Sequence, residues 1–426
     1  MQAKFLNYDL APKPVIVFSC LLPAPFLSAL VGYLFMLADH SALPARFAPL
    51  SLSVTHGLVL AGLMPIMLGA LFQLFAVVGG QNLTGARYLS PFIAPGCAAL
   101  ASLLSLGFYG QTQVFTYALI LAVSLFSPIL IALLVTGWRI AIVDASTRML
   151  AYSGWALASV LVSALVLLDI LQAKLSLDLV YWLRLHQSAG LLAWLLVLIL
   201  AIASTVFPMF WQSPRPSARW QASMPQALWL VLLLLLIPGE GVSYLLALVT
   251  GTLALLCLNY VWRAKRRFDP AWPLWLCAAL SVLTGSLLLL LELPLQRYAA
   301  NYWPAYQQAL PWWLGVLALP GLAYACVIAM LGKIIPFLVF LHLRKQIAPP
   351  QAVPVMQQIL RPRYLKWLSY SHISSVLILL AVPFAPDYAA SLGAAIFSAS
   401  QFALAILLMN CLWRYRQVLR ASLLSK

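Results

Sequence analysis

Long runs of apolar residues, separated by short polar segments, recur from one end of the chain to the other. Most runs hold about 20 residues or more, enough for a helix to cross a hydrocarbon core roughly 30 Å thick. They do not alternate between apolar and polar positions as the strands of a membrane barrel do. The pattern therefore predicts an all-α polytopic membrane protein, because helices satisfy their own backbone hydrogen bonds in lipid.

Twelve such runs form a single predicted transmembrane domain over residues 1–426. The seventh run is short, whereas the sixth and tenth are long, so their boundaries are the least well defined. The predicted spans cover residues 15–38, 51–79, 91–108, 114–136, 149–169, 181–211, 226–238, 241–262, 272–293, 311–342, 367–385 and 389–412.

Basic residues fall mainly on one side of these spans. Of 25 Lys and Arg residues, 20 lie in segments on the side of the N terminus, four lie on the opposite side, and Lys333 lies within a span. Positive charge concentrates in cytoplasmic loops, so both termini are predicted to be cytoplasmic. The net charge of +16 is then explained by topology and contact with membrane lipid, without a nucleic-acid partner.

Composition narrows the remaining classes. Hydrophobic residues make up 64% of the chain and charged residues 8%, and no phosphate-binding loop or hydrolase motif is present, so ATP-driven and hydrolytic functions have no support. The cysteines show no C-x-x-C spacing, which favours small core residues over disulfides or a zinc site. They are Cys20, Cys97, Cys257, Cys277, Cys326 and Cys411.

The second, sixth and tenth spans share a pattern at their cytoplasmic ends. The anchors Phe75-Ala76-Val77, Phe207-Pro208-Met209 and Ile335-Pro336-Phe337 lie four spans apart. This spacing predicts three related arcs of four helices, over residues 15–136, 149–262 and 272–412.

Polar residues precede each anchor by two positions. These are Gln73, Thr205 and Lys333, which would converge on the cytoplasmic side if the arcs are related. His372, near the start of the eleventh span, could join them in one polar pocket. The alternative is that Lys333 extends to the interface alone.

His56 and His186 occupy corresponding helices, the second and sixth spans, at similar depth below the outer surface. A polar ring within the membrane is a functional hypothesis by default. Gly57, Gly62 and Gly190 follow the two rings, and small residues admit either another helix or a flat cofactor. An interfacial histidine that bonds a neighbouring carbonyl is the simpler alternative.

His40 and Glu292 are two further polar residues whose surroundings the sequence predicts. His40 lies beside Asp39 in the first outer loop and is predicted to be solvated. Glu292 lies at the end of an apolar run that Pro294 is expected to terminate. A carboxylate there could couple a proton or cation to transport, or it could pair with Arg297 at the boundary.

The phrases "H-x5-G...GALFQL...VVGG", "H-x3-G...VFPMF-x-x-P" and "GKIIPFLVFLHL" resemble haem-copper oxidase subunit I, and more closely the NnrS-like group of bacterial membrane proteins related to it. The resemblance implies a haem- or copper-binding protein of the bacterial inner membrane, connected with nitric oxide or respiratory metabolism. It implies haem b first and copper second, with His56 and His186 as ligands. Arg184, with Arg46, would then pair with the haem propionates; the alternative for Arg184 is a charge at the boundary of the span.

The sequence also departs from that family. Gly190 stands where oxidase subunit I has a tyrosine, and neither the seventh span nor the outer half of the tenth contains a histidine. A reductase centre needs several ligands and an open position, so turnover by this chain alone is not expected. A partner subunit that donates the missing ligands, and a chain with no cofactor, both stay open.

The second functional class is a cofactor-free secondary transporter for a small solute. Twelve spans with internal repeats suit such a protein. Gln73, Thr205 and Lys333 would line its path, and Glu292 would be the coupling group. Transporters of this kind usually break their helices at mid-membrane, whereas Pro208 and Pro336 lie toward the cytoplasmic ends.

Overall fold

The computed structural model describes residues 7–217, 241–347 and 351–424, and between the first two ranges residues 219–220, 223, 226–227, 229–230, 233 and 237. All regular secondary structure in these parts is helical. The long helices are α1 (Pro14–Leu37), α2 (Pro49–Val77), α3 (Ala86–Phe108), α4 (Val114–Arg139), α5 (Ala145–Leu171), α6 (Leu179–Trp211), α7 (Gly241–Trp262), α8 (Trp272–Tyr298), α9 (Ala300–Gln346), α10 (Pro362–Leu379) and α11 (Pro386–Leu424).

Ten of the described helices are long and apolar enough to cross a membrane, and α10 is shorter and more polar. The prediction of an all-α polytopic membrane protein is confirmed, and each described span has a helix close to its predicted position. The predicted span 226–238 lies largely outside the described residues. One boundary was wrong, because α8 continues through Pro294 to Tyr298.

Local sequence explains several helix ends. Proline occupies the first turn of α2 and α10, where its missing N–H costs nothing and its fixed φ suits a helix. Asp144 begins α5 with a capping box, in which its carboxylate accepts from the Thr147 backbone N–H. Gly85 and Gly110 take positive φ values of 75° and 100° in the turns around α3, a conformation that glycine adopts without strain.

Three helices, α2, α6 and α9, change from α-helical to π-helical hydrogen bonding in one segment each. These segments are π1 (Gly57–Leu63), π2 (Ala189–Leu196) and π3 (Leu317–Tyr324). Each begins 18 residues before its anchor residue Phe75, Phe207 or Ile335. A π segment is rare and often marks a functional site, and these three share one register relative to their anchors.

The same three helices form the centre of the bundle. In the most apolar 18-residue stretch of each helix, 72% of α2, 67% of α6 and 78% of α9 is buried inside the protein. In the other described spans the buried share is 50% or less. Residues from all three π segments share one core cluster, formed by Leu58, Leu63, Leu195, Leu319, Ala323, Tyr324 and Phe397. The helices that resemble each other in sequence therefore meet at the level of their π segments.

A hydrogen bond joins π1 to π3 inside this cluster. The Tyr324 hydroxyl donates to the Leu58 carbonyl over 2.9 Å and lies 2.9 Å from the Ser28 hydroxyl of α1. The last helix closes the bundle against the first, since Ser398 Oγ of α11 donates to the Ala29 carbonyl over 2.6 Å. All three hydroxyl contacts satisfy polar groups that lipid could not.

Gly62 is the position where this packing leaves no room. A Cβ at Gly62 would collide with the hydroxyls of Tyr324 and Ser28, whereas a Cβ at Gly190 would meet nothing within 4 Å. We expect Gly62→Ala to lower the free energy of unfolding by about 1–3 kcal/mol. Thermal unfolding in detergent measures this effect.

The matched control is Gly190→Ala, which we expect to leave the unfolding temperature unchanged or slightly raised, because alanine favours a helix. Adding Tyr324→Phe should recover part of the loss at Gly62 by removing the colliding hydroxyl. Equal effects of the two glycine substitutions would contradict the packing.

Candidate functional site

His56 ends the α-helical part of α2, immediately before π1. Its Nδ1 lies 2.8 Å from the Leu52 carbonyl, and because a carbonyl cannot donate, the proton must be on Nδ1. The other ring nitrogen, Nε2, then carries the lone pair, and no hydrogen bond from a described residue engages it. Phe108 of α3 packs beside the ring, with centroids 5.1 Å apart. His56 is therefore held in one tautomer with Nε2 available as a ligand.

His186 lies in α6, three residues before π2. Its Nδ1 is 3.3 Å from the Ser163 hydroxyl of α5. That hydroxyl already donates its one proton to the backbone, over 2.7 Å to the Ser159 carbonyl. With that proton on the backbone the hydroxyl accepts from the imidazole, and the Val160 carbonyl is a second acceptor beside the ring, an arrangement that places the His186 proton on Nδ1 and the lone pair on Nε2.

The two imidazoles are close enough to interact electrostatically. Each comes from the last turn of α-helix before a π segment. Histidines that bind a metal usually donate the second ring N–H to a carbonyl or another acceptor, which fixes the tautomer and the ring. His56 and His186 both have this arrangement.

The surroundings of the two rings differ in the room they leave. Gly190 lies one turn after His186 on the same face, beside open space. Near His56, by contrast, Gly57 packs on Val31 of α1, and Gly62 packs on Tyr324. The small residues after His56 therefore admit neighbouring helices, whereas Gly190 leaves space for a bulky group.

Two arginines lie on the side of this site where α6 begins. Arg46 Nη2 donates to the Gln187 side chain over 2.6 Å and so ties the first outer loop to the residue after His186. Arg184 Nη2 donates to the Ile237 carbonyl over 2.9 Å. Both guanidinium groups are placed near the outer end of α6, where the resemblance expects propionate partners.

The residues predicted to form a cytoplasmic polar cluster have separate partners. Thr205 Oγ1 lies 2.8 Å from the Ser146 hydroxyl, and Gln73 lines an apolar cavity between α1, α2, α6 and α9. Lys333 forms an ion pair with Asp269, and its ammonium lies 5.9 Å from the Trp211 ring centre. Lys333 is thus neither an isolated interfacial lysine nor bonded to Gln73 or Thr205.

His372 lies away from those residues, in the same central region as π3. Its side chain is fully buried, and its Nε2 donates to the Pro320 carbonyl of π3 over 2.9 Å. Its Nδ1 is buried without a hydrogen-bond partner among the described residues. His372 therefore adds a third bare imidazole nitrogen beside a π segment.

Gln401 of α11 is a buried polar residue that the sequence did not predict as part of a site. It is 1% exposed, and both atoms of its amide lack a partner in the described structure. Phe397, one turn earlier, packs 6.0 Å from the His372 ring. A glutamine within an otherwise apolar span was the available signal, but its burial depends on which helix covers it.

The remaining predicted groups have these surroundings. Glu292 is close enough to Tyr306 of α9 to interact electrostatically. His40 was predicted to be solvated, which is wrong: it is 4% exposed, and its Nε2 donates to the Phe35 carbonyl over 2.8 Å. The short outer loop folds back onto α1, and this contact buries the ring. All six cysteines are free thiols.

No group of three or more His, Cys, Asp or Glu side chains that could hold a metal ion occurs among the described residues. The His56–His186 pair therefore offers two protein ligands. No family model matches this chain, and no curated protein matches it either.

Gln401 allows a direct test of the buried polar groups. Because both its amide atoms are buried and unpaired, Gln401→Leu should stabilise the protein by about 1 kcal/mol or leave its stability unchanged. Thermal unfolding in detergent measures the change. Tyr324→Phe is the comparison, since it removes a hydrogen bond that is made and should cost about 1 kcal/mol. A loss of stability in both variants would show that the amide has a partner.

Proposed function

We propose that this chain binds haem b between His56 and His186. The observation that carries the proposal is the pair of neighbouring imidazoles whose Nδ1 protons are both held by acceptors, with both Nε2 atoms left bare. Two histidines are a complete axial ligand set for a six-coordinate haem. A bare Nε2 on each of two equivalent helices suits that need better than it suits a purely structural role.

The donor set favours haem over copper. Copper needs several protein ligands to bind tightly, and the described residues contain no cluster of three candidate ligands. Haem supplies four ligands from its own ring and needs only the two imidazoles. Open space beside Gly190 supports a bulky group on the His186 side.

The chain's own residues would hold the haem and orient its two histidine ligands. The Leu52 carbonyl would hold the His56 ring and the Ser163 hydroxyl the His186 ring, each shortly before a π segment. Arg46 and Arg184 supply positive charge at the outer end, suited to propionates. A haem with two histidine ligands supplies one-electron transfer.

The proposed cellular role rests on the sequence resemblance, and the proposed location rests on the distribution of basic residues. We infer a role in nitric oxide response or respiratory metabolism that falls short of a full oxidase, since no histidine replaces the missing ligands in the outer half of α9. The excess of basic residues on one side supports a bacterial inner-membrane protein with both termini cytoplasmic.

The visible spectrum of the purified protein, reduced minus oxidised, tests the proposal. We expect a sharp b-type haem band that is lost in His56→Ala and in His186→Ala, while His342→Ala, at the basic end of α9, leaves it unchanged. Circular dichroism should show the same helicity in all three variants. A colourless, helical protein with both histidines intact would refute haem binding and favour the cofactor-free transporter.

Ser163→Ala tests the tautomer argument separately. It removes the side-chain acceptor beside His186 and leaves the Val160 carbonyl, so we expect haem to be retained about 10-fold less tightly, the lower end of the usual effect of losing such a partner. Transfer of haem to an excess of apomyoglobin measures the affinity. The nearby Ser159→Ala is the control, since its carbonyl remains. Equal haem affinity in the Ser163→Ala and unaltered proteins would show that Ser163 does not position the ring.

A further inference from the structure

An apolar cavity of about 110 Å³ lies between α6, α7, α8 and α9. Its walls are almost wholly hydrocarbon and aromatic, with Leu200, Phe207 and Leu253 among them. It reaches the basic end of the bundle, because Ser213 and Pro214, which follow α6, are also part of the wall. An apolar cavity of this kind holds apolar groups in preference to water.

A second cavity, of about 80 Å³, extends this apolar space toward α1 and α2. Ile199 and Cys326 line both cavities, so the two spaces are neighbours across these side chains. Both are lined almost wholly by apolar residues, which suits a hydrocarbon chain.

Six cations lie in the two chain segments that border this end of the first cavity. All six are exposed, and none forms an ion pair with a described residue. They are Arg215, Arg219, Arg263, Lys265, Arg266 and Arg267. The nearby carboxylate, Asp269, is committed to Lys333 inside the protein and does not neutralise them.

The backbone fixes these cations beside the cavity. The Arg266 N–H donates to the Trp211 carbonyl over 3.2 Å, and the Lys265 N–H donates to the Gln212 carbonyl over 3.4 Å. The loop after α7 is thereby docked on the end of α6, directly before Ser213 and Pro214. The positive-inside rule explains the sign of the charges but does not require them to gather at the mouth of a cavity.

Exposed aromatic residues mark the same place as a membrane interface. Trp262 is 60% exposed and Phe268 fully exposed, and the Arg267 guanidinium lies 5.8 Å from the Trp262 ring centre. Aromatic rings concentrate at the level of lipid head groups.

We propose that this region binds an acidic phospholipid of the surrounding membrane, with its phosphate among the six cations and an acyl chain in the apolar cavity. Charge complementarity selects an anionic head group, and the dry cavity selects a chain attached to it. The site is separate from the histidine pair and does not depend on haem. Basic pockets between membrane helices are a known means of recognising acidic lipids.

Native mass spectrometry of the full chain in detergent, with phosphatidylglycerol or phosphatidylcholine of equal chain length, tests the proposal. We expect phosphatidylglycerol to bind and phosphatidylcholine to bind at least tenfold more weakly. Arg215→Gln combined with Arg266→Gln should weaken binding of phosphatidylglycerol by roughly fivefold for each charge removed. Arg361→Gln combined with Arg363→Gln is the matched control, since it removes the same charge from a segment that contributes no residue to the first cavity.

Two further arms separate the head group from the chain. Ala203→Phe fills the cavity without altering charge and should weaken phosphatidylglycerol binding, and glycerol 3-phosphate, which has no chain, should compete only weakly. Equal binding of the two lipids, an equal loss in the control pair, or full competition by glycerol 3-phosphate would each overturn the proposal. Unchanged binding in the folded Ala203→Phe variant would overturn the assignment of the chain to this cavity.

Discussion

The hydrogen bond from the Tyr324 hydroxyl to the Leu58 carbonyl joins two π segments at the centre of the bundle, and the remaining helices pack around that junction. Within a membrane no water is present to hydrogen-bond such a carbonyl, so the protein must supply the donor. Gly62 supplies the room by having no side chain. One small residue and one hydroxyl thereby fix how closely α2 and α9 approach.

The three π segments also explain the position of the histidines. A π turn changes the direction of side chains relative to an uninterrupted α-helix, and both His56 and His186 lie within three residues of one. Their registers differ by two residues, yet the rings are close enough to interact. His372 reaches π3 from a neighbouring helix, so each of the three central helices has an imidazole at its π segment.

Hydropathy predicted the helices well because each span must be long and apolar to cross lipid, a requirement that each span's own residues reveal. The anchor pattern drew attention to α2, α6 and α9, the most buried of the described spans, but the π segments have no common residue pattern and could not be predicted. Contacts between distant parts of the chain could not be predicted either. Lys333 pairs with Asp269, 64 residues away in sequence, and His40 is buried because its loop folds back onto α1. Such contacts depend on how whole helices pack, which local residue patterns do not record.

Haem binding requires that His56 and His186 face one shared group. A cryo-electron microscopy map of the full chain, purified without added ligand, tests it most directly. We expect density for a planar group between the two Nε2 atoms. Nδ1 of His56 should donate to the Leu52 carbonyl, and Nδ1 of His186 should lie within hydrogen-bond distance of the Ser163 hydroxyl. Two rings that point apart, with protein side chains filling the space between them, would contradict it.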